Sequence, residues 1–593
     1  MSGTKIWVED DLQRFAIALV VAALMASAAA QKPASQKAGK KGSATAASLP
    51  QGPTLAEKIQ QIASRPVFRH SLVGIEVYDA TDHKILAALN EEKLFTSGST
   101  TKLITEGTAL ALLGENYRFH TRVYHTGTLN NDGTLEGDLV LVAGGDPNLS
   151  GRVKLDDTLD YTSSDHSYAG VTMATPVYGE PLRVFKELAS GVLMKGVARV
   201  HGRVIVDASI FPSDQLEPAT HTTISPMMLN DNVIDVTAIS GELPGEAAAI
   251  KLSPDVGYLR VINRLRTGRV DSEPMLQFTS DTTEPDGSHT VIVEGTVPAG
   301  KQKVLAVYKV KDPVLFATMG FRDALRWASI PIQEPSPAPL IAANAVPAMA
   351  SPSSPQAAAS AATAARSAPS NARSLLVEHD SPPFREEVRL TLKVSQNLHA
   401  ATTPYLVGSL LGHGSNDAAQ RGLALEHRFL SQAGLEPETV SQLDGEGGIG
   451  SAFSPDFMVR YLGYMARQPY GKAFFDSLPV LGHDGTLTEM MQNSPAAGHV
   501  HAKTGSYSVA NNLDGGVMLM GKGLAGYIDA ANGHQLIFAA FVNLVPLRNM
   551  EQVADVGQTL AEVAATAYQY APPLSAAPKP ALQKAPGKKK SQK

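Results

Sequence analysis

Residues 94–105 read Leu94-Phe95-Thr96-Ser97-Gly98-Ser99-Thr100-Thr101-Lys102-Leu103-Ile104-Thr105. A serine and a lysine three positions apart at the start of a helix share one face, so the amine can take the hydroxyl proton as the oxygen attacks an acyl group. Ser99 and Lys102 are in this sense a nucleophile and its base within one helical turn. The pattern alone decides little: a chain this long contains about one or two Ser-x-x-Lys spacings by chance, most of them on solvated helix faces. Its reading depends on two stretches much further along.

Before the motif, Thr54 to Ala63 is predicted as a short helix, and Leu72–Tyr78 and Ile85–Leu89 as two strands of a hairpin turned at Asp79–Lys84. After it, the helix carrying Lys102 buries Leu103, Ile104, Leu110 and Leu112. From about Arg118 to Ile330 many short strands broken by Gly, Asp and Asn predict a β-rich region without a catalytic constellation of its own. Residues 334–374 are dominated by Pro, Ala and Ser and bury too little apolar surface to fold, which predicts a disordered loop.

Order resumes at Leu375. Val388–Val394 alternates apolar and polar residues and is predicted as a strand leading into Ser395-Gln396-Asn397, where a helix starts and runs to Leu410. Helical spacing recurs over 417–434 and 454–468. Three neighbouring strands of one sheet follow: the stretch His499–Gly505, then Leu513–Met520, and, after a Gly-rich turn region, Leu536–Val545. An amphipathic helix over 549–568 carries Val553, Val556, Leu560, Val563 and Ala564 on one side.

The 593 residues leave room for more than one domain, and 18% charged with 43% hydrophobic residues describe an ordinary globular chain. The absence of cysteine excludes disulfides, thiolate zinc sites and cysteine nucleophiles. Phe15–Ala30 is apolar except for Ser27 and ends in three alanines, which predicts a signal peptide over 1–30 and hence an exported, periplasmic or extracytoplasmic protein. Glu9, Asp10 and Asp11 dilute its positive n-region. Residues 31–53 read as a flexible basic linker and 571–593 as a disordered basic tail; residues 31–50 hold four lysines, the tail holds six, and neither holds an acid. The net charge of −6 thus hides an acidic body with basic ends, which excludes a nucleic-acid binder and leaves electrostatic contact of the ends with anionic envelope polymers as an expectation.

Three motifs now stand in order: Ser99-x-x-Lys102, Ser395-x-Asn397 and Lys503-Thr504-Gly505. Singly, the second is a helix cap and the third a strand edge. Together they resemble the motif set of the serine β-lactamases and penicillin-binding proteins. Nearly 300 residues separate Ser99 from Ser395, too many for a compact β-lactamase and enough for inserted domains. With that spacing the chain resembles the class C low-molecular-mass penicillin-binding proteins, the D-alanyl-D-alanine carboxypeptidase/endopeptidases. Supporting stretches are Gly137-Asp138-Leu139 with Gly144-Gly145-Asp146-Pro147, Val206-Asp207-Ala208-Ser209-Ile210-Phe211, Asn230-Asp231-Asn232, His379-Asp380-Ser381-Pro382-Pro383 and Asp484-Gly485-Thr486-Leu487. The likeness covers roughly residues 54–570.

The resemblance implies an α+β fold: a discontinuous β-lactamase/transpeptidase-like domain over 54–117 and 375–570, with β-rich domains inserted over 118–333. It also implies a division of labour. Ser99 is acylated and Lys102 is its base; Ser395 relays a proton to the leaving amine; Asn397 holds Lys102 and the substrate amide. Lys503 and Thr504, with Gly505 and Ser506 beside them, receive the substrate carboxylate, and the backbone N–H groups of Ser99 and Ser506 form the oxyanion hole. His501 shares a strand face with Lys503 and is expected at the cleft rim. Peptidoglycan stem peptides are the implied substrates and β-lactams the covalent inhibitors, with no metal or cofactor. Two departures stand out: Ala400-Ala401 where the family has Ala-Glu, and Asp444-Gly445-Glu446-Gly447 where it has Asp-Gly-Ser-Gly. Neither is expected to touch the catalytic set. They motivate an alternative reading as a catalytically weak peptidoglycan-binding scaffold. A β-lactamase is a further alternative, against which the missing Glu-x-x-Leu-Asn motif predicts slow deacylation.

Overall fold

The computed structural model describes residues 53–169, 174–334, 373–414 and 417–570. The predicted signal peptide (1–30), the basic tail (571–593), and nearly all of the basic linker (31–53) and of the Pro/Ala/Ser loop (334–374) lie outside the described residues.

An antiparallel six-stranded sheet joins the two ends of the described chain. Its order is Lys84–Leu89, Leu72–Asp79, Gln535–Asn543, Gly516–Asp529 and Val500–Asn511, with Val545–Leu547 also paired to Gly516–Asp529. Val77 lies opposite Phe538, so the first hairpin is stitched to strands more than 400 residues later. One face packs on the helices Leu55–Ala63 and Met550–Tyr570, through Ile59, Ile62, Val556 and Val563 against Ile528, Phe538 and Val542. The alternate residues Ala525, Tyr527, Ile537, Ala539 and Phe541 point the other way, into a core shared with the helices Thr101–Leu113, Asn397–Leu410 and Pro455–Met465. Burial on both faces explains why these strands are apolar without alternation. The first helix begins at a capping box: the Thr54 hydroxyl accepts from Glu57 N at 3.3 Å and the Glu57 carboxylate accepts from Thr54 N at 2.7 Å.

Two sequence expectations are corrected here. Phe384–Val394, expected as a strand over 388–394, is a helix. Its polar residues do not face water, as a half-buried strand would require: Thr391 donates to Glu387 and Lys393 to Asp484 and to Leu478 O, all inside the fold. The supposed Gly-rich turn after Met520 is the middle of the strand Gly516–Asp529. Its glycines let other backbone lie flat on the sheet: a Cβ at Gly521 would sit 2.4 Å from Thr96 O, and one at Gly526 2.1 Å from His501 O.

A further core gathers Leu139, Leu141, Val200, Ile234, Val291 and Val293 and takes in Leu376, Leu390 and Val394 from the returning chain. His120–His125, Leu139–Val142 and Val204–Asp207 form one sheet with Ser374–Asp380, the strand on which the chain returns. The helices Arg183–Met194 and Pro313–Trp327, which the β-rich reading did not separate out, meet edge to face through Phe185 and Phe321, 5.8 Å between ring centroids. Among the described residues no helix is long and apolar enough to cross a membrane.

Candidate active site

Ser99 sits in the single turn of 3₁₀ helix Gly98–Thr100 that runs directly into the helix Thr101–Leu113. Gly98 takes φ +51°, and a Cβ there would stand 2.7 Å from Ser506 N, so glycine is required on both counts where the turn meets the strand Val500–Asn511. Ser99 stays partly open to solvent while Lys102, one turn on, is fully buried.

The Lys102 amine points at three oxygens: Ser99 Oγ at 2.8 Å, Asn397 Oδ1 at 2.7 Å and the Glu446 carbonyl at 3.1 Å. A neutral amine has two N–H bonds and one lone pair. With Asn397 and Glu446 taking the two hydrogens, the lone pair faces Ser99 Oγ, the geometry needed to accept its proton. Burial lowers the Lys102 pKa below the ordinary lysine value, against the nearby carboxyl groups of Glu446, Glu217, Asp444 and Glu106, which raise it to the extent that they ionise, and so favours that neutral form.

Ser395 closes the helix Phe384–Val394 in the left-handed conformation, φ +63°, and Asn397 opens the next helix two residues later. The reversal is held from three sides. Gln396 caps the second helix by accepting from Leu398 N at 2.9 Å. Tyr168, from the 118–333 region, donates to Ser395 O. Gln396 Nε2 and His399 Nε2 each approach an oxygen of Asp231 at 3.2 Å. Asp231 also meets Arg152 at 2.5 Å and His166 at 2.8 Å, while His166 reaches Asp235, His399 reaches Glu387, and Arg152 reaches Asp165. A buried polar cluster therefore ties the 118–333 region to the turn carrying Ser395 and Asn397. His166 and His399 lose from burial but gain more from these carboxylates, which lift both to about 10.

Lys503 lies buried on the strand Val500–Asn511, its amine donating to Ser395 Oγ at 2.7 Å and to Thr504 O at 2.9 Å. Thr504 Oγ1 bonds Thr486 Oγ1 at 2.9 Å, and exposed Ser506 accepts from Lys522 Nζ at 2.6 Å. Gly505 presses on the turn that carries Ser99, where a Cβ would lie 2.2 Å from Ser97 O. All eight sequence-predicted residues therefore gather in one place. His501 stacks on Phe475 at 4.1 Å between centroids.

Four contributors escaped the sequence reading. Lys522 was hidden in the presumed glycine turn; Tyr168, Glu217 and Glu446 carry no motif signal of their own, although Glu446 was visible as a departure. The expectation that this departure leaves the catalytic set untouched is overturned, because Lys102 donates to the Glu446 carbonyl. Lys503 is lowered well below its usual value by burial and by the charges of Lys102 and Lys522, and burial brings Lys522 to about 8. Among the described residues no carboxylate pairs with Lys503 or Lys522, whose amines bond only Ser395 Oγ, Thr504 O and Ser506 Oγ.

A family model matches residues 55–336 and 357–565, and its description is the D-Ala-D-Ala carboxypeptidase 3 (S13) family. The chain belongs to that family. Among S13 relatives, a D-alanyl-D-alanine carboxypeptidase of Actinomadura sp. (strain R39) is 26% identical over 483 residues, 78% of each chain. The D-alanyl-D-alanine carboxypeptidase DacB of Haemophilus influenzae is 20% identical over 485 residues, 80% of this chain and 85% of that one. The fold is that of the crystal structure of penicillin-binding protein 4 (dacB) from Haemophilus influenzae, with a TM-score of 0.61 at 18% identity over 86% of this chain and 99% of the other. The resemblance to the class C penicillin-binding proteins and the α+β assignment both hold, and S13 membership makes the chain a serine hydrolase.

Proposed function

We propose that the protein is an exported serine D,D-peptidase that removes the terminal D-Ala of peptidoglycan stem peptides, or cuts a peptide cross-link, through an acyl-enzyme on Ser99. The observation carrying this reading is the buried Lys102 amine, 2.8 Å from Ser99 Oγ with its other partners fixed by Asn397 and Glu446. In the first half-reaction Lys102 takes the Ser99 proton as Oγ attacks the D-Ala carbonyl carbon, and the N–H groups of Ser99 and Ser506 stabilise the oxyanion. Ser395, bonded to Lys503, relays the proton that Lys102 took from Ser99 to the departing amine as the C–N bond breaks, which returns Lys102 to its neutral form. Thr504, Ser506, Lys503 and Lys522 suit the free carboxylate next to the scissile bond. Water then attacks the ester, giving its proton to Lys102, which hands it to Ser99 Oγ as the ester bond breaks and so restores both groups. Residues 118–333 serve as an insertion that buttresses the Ser395 turn. β-Lactams, with an acyl group and a carboxylate in the same relation, acylate Ser99 and leave slowly.

Digestion of purified muropeptides tests this. The wild-type protein should release D-Ala or uncrosslinked monomers, identified by mass, and Ser99→Ala should release neither. Equal product from both proteins, or none from a folded wild type, would overturn it.

A further inference from the structure

The loop Asp444–Gly448 does two things at once. Its Asp444 carboxylate gathers the N–H groups of Glu446 at 3.0 Å and Gly447 at 2.7 Å, fixing the loop, and its Glu446 carbonyl receives the Lys102 amine. The Glu446 side chain turns away from solvent, and its Oε2 is buried without a conventional donor. What it meets is the carboxyl of Glu217, itself buried, from the 118–333 region. Glu217 is already supported as an anion, with one acceptor site to spare: its oxygens accept from Ala219 N at 2.6 Å, from Thr220 N at 2.7 Å and from the Thr220 hydroxyl. Two buried carboxyls in contact cannot both ionise, and the one with its own ring of donors keeps the charge.

We propose that Glu446 is a positioning residue for Lys102: as a neutral carboxylic acid it donates its O–H to the Glu217 carboxylate, and this clasp seats the Glu446 carbonyl on the Lys102 amine. The inference rests on the reading of Lys102 as the base for Ser99. Burial and the hydrogen bond to Glu217 push the Glu446 pKa up to about 10, while burial of Glu217 is outweighed by hydrogen bonds from Glu446 and Thr220, which leave it below the usual carboxylate range. The charged and titratable groups facing the pair are Lys102 on its helix, Asp444 in the same loop and Tyr168 beside the Ser395 turn. The clasp therefore presents one negative charge, held on the Glu217 side, where it opposes Lys102 deprotonation less than a charge on Glu446 would. A serine at 446, too short to reach Glu217 in this way, would leave Lys102 under different control, which gives this chain its own setting of base strength.

The test is a pH profile of acylation by labelled penicillin for the wild type and for Glu446→Gln, Glu446→Ala and Glu217→Gln, with folding checked by unfolding midpoint. Glu446→Ala should slow acylation about tenfold or more, and Glu446→Gln, whose amide can still donate to Glu217, should recover most of that loss. Glu217→Gln moves the charge onto Glu446, next to Lys102, and should shift the acid limb of the profile upward by about one pH unit. An infrared difference spectrum of wild type minus Glu446→Gln at pH 9 should show a protonated carboxylic acid. Equal losses for Glu446→Ala and Glu446→Gln, an unshifted limb in Glu217→Gln, or a carboxylate band instead of the acid band would each overturn the proposal. A wild type that never acylates would count against the peptidase reading, and the infrared difference would still decide the protonation of Glu446.

Discussion

Asp231→Asn asks how much the buried cluster beneath the Ser395 turn contributes. Asp231 is 1% exposed and receives Arg152 at 2.5 Å, His166 at 2.8 Å and His399 at 3.2 Å, with the Gln396 amide also at 3.2 Å. Removing one partner of a buried ion pair costs about 3–5 kcal/mol. Each cation here keeps a second carboxylate, Asp165 at 2.7 Å, Asp235 at 2.9 Å and Glu387 at 3.0 Å, so the expected loss is at the low end, about 3 kcal/mol. The sign of the pH dependence follows from the histidines. Their folded pKa values are raised from 6.5 to about 10, so their contribution is fully present below pH 6.5 and is lost as pH rises towards 10. Denaturant unfolding of wild type and Asp231→Asn at several pH values between 6 and 10 reads both effects. The wild type should lose stability across that window, and the variant should start lower and lose less. A difference below about 1 kcal/mol, with parallel pH curves, would refute the charge accounting.

The remaining predictions concern the cleft. Lys102→Ala should slow acylation of Ser99 by β-lactam about 100-fold or more without changing the unfolding midpoint greatly, measured as the second-order acylation rate. In the wild type that rate should fall as pH drops through the lowered Lys102 pKa, because protonation removes the lone pair facing Ser99. Tyr168→Phe leaves the Ser395 carbonyl without its donor and should slow acylation by about tenfold, from about 1–2 kcal/mol lost at the turn. Gly505→Ala forces a Cβ to 2.2 Å from Ser97 O and should abolish acylation while wild-type secondary structure is retained by circular dichroism.

The motif residues were legible because their chemistry is local: Ser99 and Lys102 share a turn, Ser395 and Asn397 flank a helix start, and Lys503, Thr504 and Gly505 are consecutive on one strand. Their convergence was legible only as a likeness between motif sets, since no local rule brings residue 395 to residue 102. The misread helix Phe384–Val394 shows the limit of periodicity: Thr391 and Lys393 find polar partners inside the fold, so an alternating pattern did not mark a solvent face. Lys522 was missed for the complementary reason. The glycines around it signal close packing against the nucleophile turn, which looks the same as a loop until the partner backbone is in place. Glu217 and Tyr168 act on the site from the 118–333 region, and nothing in their own sequence neighbourhoods points to it.

The proposed function stands or falls on acylation of Ser99 with Lys102 as its base. Intact-protein mass after exposure to benzylpenicillin, followed by peptide mapping, tests it most directly. One adduct per chain is expected, located on the peptide containing Ser99, persisting through gel filtration and absent from Ser99→Ala. An adduct elsewhere, or none on folded wild-type protein, would contradict it.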